Sequence, residues 1–297
     1  MQIAPLRAYH APTDLAECLE ILRDEAGRVT VLAGGQSAVP LLKSRQLRPE
    51  VLLDLRRVEE LRRQPSGADG DGPLELGAMV RYRDIEHHPL ITSRFAALAD
   101  AARTIGDLQV RNRGTLGGNL AFADITADMP PVVVCLSGEV VVTGPGGDRT
   151  VPADEFFTGR RETALRPDEL LRAVRFPAPA PGSGSAYEKY GITVNGRPVI
   201  GVAAQVAVDA GGTCSAARVV VGGVLPGPRR AEAAEQVLLG QRIDDDVLAA
   251  AAGAAAEEID THDDLRGSAE YRRQLIRIYG QRALQRAVTR AQEGHTR

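Results

Sequence analysis

Apolar and polar positions fall into helical and strand rhythms along the chain. Leu15, Leu19 and Leu22 line one face of a predicted helix over residues 13–25, with Thr13 placed as its cap, Asp14 in the first turn and Gly27 past its end. Val29-Thr30-Val31-Leu32-Ala33 is β-branched and apolar, and predicts a strand running straight into Gly34-Gly35-Gln36-Ser37. A short helix over 39–43 and a strand over 51–55 complete a small α/β unit.

Residues 65–73 predict a polar turn and 74–78 a strand. The pattern over 82–104 is helical with a break at Pro89, and a further helix over 129–136 carries Pro130 and Pro131 in its first turn. A hairpin over 139–143 and 148–151 turns at Gly144-Pro145-Gly146-Gly147. Residues 177–185, rich in Pro, Gly and Ser, read as a linker and place a domain boundary near 180. Beyond it a second hairpin, 199–208 with 214–221, is followed by helices over 230–239, 245–259 and 268–291.

The 297 residues allow two domains, and a chain of this length buries a substantial core without covalent staples. Lys plus Arg number 36 and Asp plus Glu 39, a net charge of −3, which favours neither nucleic acid nor an anionic membrane. No apolar run approaches the roughly 20 residues that a membrane span needs, and the first ten residues lack the apolar stretch of a signal peptide. Cys18, Cys135 and Cys214 are scattered and odd in number, without a C-x-x-C. That argues against a disulfide framework or an iron–sulfur site and for a reducing, cytoplasmic setting.

The candidate chemistry lies in two glycine pairs. A pyrophosphate needs several converging donors, and backbone N–H groups supply them where glycine lets the chain turn sharply. Gly34-Gly35-Gln36-Ser37 has this form, and Thr115-Leu116-Gly117-Gly118-Asn119 repeats it, each flanked by hydroxyl and amide side chains. Either pair alone is a common turn; together they point to a nucleotide. The alternatives are absent: there is no G-x-G-x-x-G of a Rossmann site and no G-x-x-x-x-G-K-[ST] of a P-loop. His87-His88 are adjacent and point apart on a helix, and His262 with Asp260, Asp263 and Asp264 reads as a loop, so no metal site is expected. Asp244-Asp245-Asp246 is a helix N-terminal charge.

Taken together, Ala33-Gly34-Gly35-Gln36-Ser37, the segment 109–121 (QVRNRGTLGGNLA), Ala123-Asp124 with Ala127-Asp128-Met129-Pro130, Phe156-Phe157-x-Gly159, Leu165-x-Pro167-Asp168-Glu169-Leu170-Leu171, Pro177 and Tyr187-Glu188-Lys189 resemble the FAD-binding medium subunit of the molybdenum hydroxylases. That family includes carbon monoxide, xanthine and nicotine dehydrogenases, and the resemblance covers the whole chain. It implies an α+β fold. Residues 1–178 would form a two-lobed FAD-binding domain of the PCMH or vanillyl-alcohol-oxidase type, with lobes of about 1–57 and 58–178. Residues 184–295 would form a small antiparallel sheet with a helical bundle.

The resemblance also implies cofactor-binding roles for Val31, Leu32, Ala33, Gly34, Gly35, Gln36, Ser37, Asn112, Thr115, Gly117, Gly118 and Asn119 around the FAD pyrophosphate. Asp128 would accept from a cofactor hydroxyl, or cap the helix that follows it. Leu171 would touch the flavin ring, and Lys189 would lie near it. Two departures stand out. Thr193 occupies a place where the family often has Arg, with Arg197 as the nearest substitute, and Phe122 stands where a polar residue is frequent.

Electrons would reach FAD from an iron–sulfur small subunit, which draws them from a molybdopterin large subunit, and would pass to NAD, a quinone or oxygen. Two other readings stay open. One is a free-standing FAD-dependent oxidoreductase with Tyr187, Tyr190 or Arg197 serving its own substrate; the other is a flavin-binding assembly protein.

Overall fold

The computed structural model describes residues 4–63 and 72–294. Most of the polar turn expected at 65–73 lies outside the described residues. The fold is α+β, built on three larger sheets in chain order.

The first sheet is parallel, with strand order β1 (Ala8–His10), β3 (Val51–Asp54), β2 (Val29–Leu32). Its central strand β3 is buried along its whole length, as a parallel strand covered on both faces must be. Helix α1 (Leu15–Asp24) covers one face with Cys18 and Leu22, and α2 (Ala38–Lys43) follows β2. The cap of α1 falls one residue later than expected. Asp14, in extended backbone, accepts from the Glu17 amide at 2.8 Å, which leaves Thr13 outside the helix. The Asp54 carboxylate, at the end of β3, ties the sheet edge together by accepting from Tyr9 and Arg56.

The second sheet contains β4 (Leu74–Gly77), β5 (Glu139–Gly144), β6 (Gly147–Pro152) and, entering last, β9 (Leu170–Phe176), in spatial order β4-β9-β5-β6 and antiparallel throughout. Between β4 and β5 the chain runs through α3 (Tyr82–His87), α4 (Pro89–Arg94), α5 (Ala96–Thr104), α6 (Leu108–Arg111), α7 (Leu116–Phe122) and α8 (Met129–Cys135). After β6 come α9 (Ala153–Phe156) and a small ribbon of β7 (Phe157–Gly159) and β8 (Glu162–Thr163).

The third sheet is antiparallel in chain order: β10 (Ser183–Gly191), β11 (Pro198–Val208), β12 (Cys214–Gly222) and β13 (Arg229–Arg230). Helices α10 (Glu232–Leu238), α11 (Asp245–Glu258) and α12 (Ala269–Gly294) pack on one face. The other face contributes Tyr187, Ala203 and Val220 to the core around α5 and α8. A buried ionic joint reinforces that contact. Asp100 of α5 pairs with Arg286 and Arg290 of α12 and accepts the Tyr187 amide at 3.2 Å. Such partners offset the cost of burying a carboxylate this deep. The three cysteines lie in three different cores, each with a free thiol that burial pushes upward, Cys18 to about 12. No described helix is long and apolar enough to cross a membrane.

Candidate functional site

A cleft of ≈ 550 Å³ opens between the carboxyl end of β2 and the segment carrying α7. Its volume suits an organic ligand with polar groups placed at a few points.

One wall is the segment after β2. Gly35 has φ +75°, the left-handed region that glycine occupies without strain, and this turns the chain back over the strand end. Gly35, Gln36, Ser37 and Ala38 all line the cleft, and among the described residues none of their amides donates a hydrogen bond within the chain. Four consecutive open N–H groups at the start of α2 make a concave site for an anion. Val31 and Ala33 lie on the same wall. Leu32 does not; it points behind the turn.

The second glycine pair is built otherwise. Gly117 and Gly118 sit in the first turn of α7, with Thr115 as its cap, rather than in a loop turn as the sequence suggested. Its amides are already spent: Leu116 donates to the Val80 carbonyl at 3.0 Å, Gly117 to that of Ala78 at 2.8 Å, and Gly118 to the Thr115 hydroxyl at 3.2 Å. Glycine is needed here for contact. A Cβ on Gly117 would lie 2.6 Å from the Ala78 Cβ. The two segments also touch each other, since a Cβ on Gly34 would meet the Arg113 carbonyl oxygen at 2.1 Å. Thr115, Gly117, Gly118 and Asn119 all line the cleft. Asn119 donates to the Tyr82 hydroxyl at 2.8 Å, while its Oδ1 is buried with no partner. Asn112 is off the cleft and accepts from Arg83.

Asp128 also lines the cleft. It holds the cap position of α8 but its side chain does not cap; instead Oδ1 accepts from the Tyr187 hydroxyl and the Lys189 ammonium, each at 2.9 Å. Burial raises its pKa, and Lys189, Tyr187 and Arg197 oppose that rise. The same burial, with Asp128 alongside, lifts the Tyr187 phenol well above its ordinary value. Leu171 lies on the wall; Lys189 is buried behind Asp128 and does not line the cleft. On the same cleft, Asp124 accepts from Thr126 and pairs with Arg197 and Arg161. Burial alone would raise this carboxyl, yet the Thr126 hydrogen bonds and the two arginines hold it below the usual value. The Arg161 guanidinium lies 4.9 Å from the Phe122 ring centre. Among the described residues no group of His, Cys, Asp or Glu is placed to hold a metal.

Several lining residues had no sequence signal. Tyr82, Ile105 and Asn195 reach the cleft only because separate elements converge there. Gly106 carried a faint one, as a glycine between helices, and its φ is +53°.

Open backbone donors, an unpaired amide oxygen and a buried carboxylate around one cleft are the features of a protein that binds a nucleotide-type cofactor. Comparison with known proteins gives that class its family. Residues 2–179 match the model of the FAD binding domain in molybdopterin dehydrogenase, and residues 185–287 that of the CO dehydrogenase flavoprotein C-terminal domain. The carbon monoxide dehydrogenase medium chain of Hydrogenophaga pseudoflava is 37% identical over 97% of this chain and 99% of its own. The solved carbon monoxide dehydrogenase from that organism, lacking the Mo-pyranopterin moiety, superposes with a TM-score of 0.91 at 38% identity over 97% of this chain and 99% of that one. Quinoline 2-oxidoreductase from Pseudomonas putida 86 superposes with a TM-score of 0.90 at 33% identity, covering 98% and 99%.

This chain belongs to the FAD-binding medium subunits of the molybdenum hydroxylases, a family of oxidoreductases, and its cofactor is FAD. The residues present fit that group. The open amides at 35–38 suit a pyrophosphate, and the partnerless Asn119 Oδ1 suits a ligand N–H or hydroxyl.

Proposed function

We propose that this chain carries electrons from the iron–sulfur clusters of a small partner subunit to NAD, a quinone or oxygen, by way of FAD in the cleft. In this reading those clusters are fed by a molybdopterin large subunit. The observation that carries the reading is the open cradle at 35–38 within a chain similar from end to end to a carbon monoxide dehydrogenase medium chain. Bound there, FAD supplies the redox chemistry.

The chain's own residues bind and orient. Gly35, Gln36, Ser37 and Ala38 offer N–H donors to the pyrophosphate, Asn119 and Asp128 offer acceptors, and Leu171 supplies an apolar wall. The carboxylates on the cleft are each engaged: Asp128 with Tyr187 and Lys189, Asp124 with Thr126 and Arg197, Glu169 with Arg149. Of the side chains that a free-standing enzyme would use on its own substrate, Tyr187 donates to Asp128, Tyr190 packs on Tyr271 and Tyr279, and Arg197 pairs with Asp124. This supports electron transfer over proton transfer to an organic substrate. Three cysteines in three separate cores fall short of the four thiolates of a cluster, which supports clusters carried by a partner. Three free buried thiols also favour a reducing, cytoplasmic compartment. We take residues 1–178 as the FAD-binding domain, in lobes of about 1–57 and 58–178, and 184–295 as the second domain.

The test is an absorption spectrum of the purified chain with acid extraction of its cofactor, followed by affinity purification of the tagged chain from its native cells. Flavin bands, released FAD, and iron and molybdenum in the purified material are expected. Turnover of a small substrate by the isolated chain would overturn the subunit reading, and a colourless chain that cannot take up FAD would overturn the cofactor role.

A further inference from the structure

Lys189 has three N–H donors and meets three acceptors. Its ammonium lies 2.9 Å from Asp128 Oδ1, 2.8 Å from the Thr104 carbonyl and 2.9 Å from the Gly196 carbonyl. These acceptors belong to three separate stretches: the start of α8, the carboxyl end of α5, and the 191–197 loop between β10 and β11. The side chain is only 7% exposed. A buried ammonium so engaged has no donor left for a ligand.

We infer that Lys189 is a positioning residue: its ammonium fixes Asp128 as an acceptor toward the cofactor and holds the 191–197 loop in place as one wall of the cleft. This rests on the reading that the cleft holds FAD. Three features support it. The Thr104 carbonyl ends a helix, where a cation is favoured by the helix dipole. Asn195, Gly196 and Arg197 line the cleft, so the loop that Lys189 grips is part of the site. The Asn195 carbonyl accepts the Gly106 amide at 3.0 Å, so the loop is fastened to the same stretch beyond α5 that Lys189 caps.

The arrangement makes Lys189 and Asp128 one unit. The groups facing the Asp128 carboxylate are Tyr187 and Lys189 from β10, Arg197 from the loop and Tyr82 from α3. Burial pushes this carboxyl upward, and Lys189 is the strongest opposing influence. With an uncharged residue at 189, the carboxyl takes a proton at a higher pH and ceases to be an anionic acceptor. Affinity for FAD then falls as pH falls, which a purely structural lysine would not produce.

The experiment uses the full chain as wild type, Lys189→Met, Asp128→Asn and the double variant. The first readout needs no cofactor. Amide hydrogen exchange over 192–197 in the apo chain is expected to quicken roughly ten-fold in Lys189→Met, the scale of one lost hydrogen bond from a charged donor. The second is FAD affinity between pH 6 and 9. Lys189→Met is expected to bind about ten-fold or more weakly and to lose affinity at a higher pH than wild type. The double variant is expected to bind no more weakly than Asp128→Asn and to lack this pH dependence.

Unchanged exchange, or additive losses with the pH profile of wild type, overturns the inference. If Lys189→Met does not fold, Lys189→Arg answers instead: it keeps the cation, so the profile should match that of wild type while exchange in the loop quickens, and unchanged exchange again overturns the inference. A wild-type chain that fails to take up FAD sinks the cofactor reading alone, because the exchange result is obtained without cofactor.

Discussion

The two glycine pairs look alike in sequence and do opposite things in the structure. Gly34-Gly35 turns the chain at a strand end and leaves four amides open on the cleft. Gly117-Gly118 begins a helix whose first amides are consumed by Ala78, Val80 and Thr115. The first pair supplies donors; the second supplies closeness, letting α7 lie against Ala78. They are also mutually dependent, because Gly34 abuts the Arg113 carbonyl. A glycine pair is therefore not by itself a phosphate motif. What its amides already bond to decides the matter, and that is set by the neighbouring segment.

The largest effects should come from filling the contacts. Gly34→Ala would place a Cβ 2.1 Å from a backbone oxygen, and Gly117→Ala one 2.6 Å from the Ala78 Cβ, with little freedom to yield at either place. Each should destabilise the chain by about 1–3 kcal/mol, read as a lower melting temperature, and each should abolish FAD retention. If Gly117→Ala keeps full stability, the close-contact role is wrong.

Next comes the division of labour. If the open amides hold the pyrophosphate, riboflavin should bind on the order of 100-fold more weakly than FAD, by fluorescence titration. Gly35→Ala, strained by about 1–2 kcal/mol at its positive φ, should weaken FAD and ADP while leaving riboflavin nearly unaffected. Equal losses for all three ligands would erase the distinction between the two segments.

A smaller effect belongs to Asn119. Asn119→Ala removes the partnerless acceptor, and should weaken FAD by about ten-fold with little change in apo stability, since that oxygen gains nothing in the empty protein. A large loss of apo stability would show that the contact with Tyr82 matters more than the ligand.

The smallest concerns the sheet that presents the open amides. Burial alone would raise Asp54, but Arg56 and Tyr9 hold it below its ordinary value of 3.8. The folded value being depressed, its contribution is present above pH 3.8 and is lost as pH falls through the folded value. Asp54→Asn should cost about 1 kcal/mol near neutrality and flatten that acid limb in melts across pH. An unchanged limb would remove Asp54 as the tie of this sheet.

Much of the fold could be read from the chain. The strand before Gly34, the hairpins turning at 144–147 and 209–212, the break at Pro89 and the three closing helices follow from side-chain periodicity and turn residues, which are local properties. Strands β1, β7 to β10 and β13 went unread, and the linker expected over 177–185 runs into β10. β1 is only three residues long, and β9 (LLRAVRF) lacks clean alternation because it is central in its sheet. The site was legible in part. Most residues of the two glycine segments, with Asp128 and Leu171, do meet at one cleft, whereas Leu32, Asn112 and Lys189 do not line it.

The sequence by itself determined the elements, the two glycine pairs and the family pattern, because periodicity, turn chemistry and spacing are written in neighbouring residues. Only the tertiary structure decided which amides remain open, that Asp128 faces Tyr187 and Lys189 rather than capping its helix, and that Tyr82 and Asn195 reach the same cleft. These depend on which backbone donor finds which acceptor across tens of residues of chain, and that pairing is settled only when separate elements pack together.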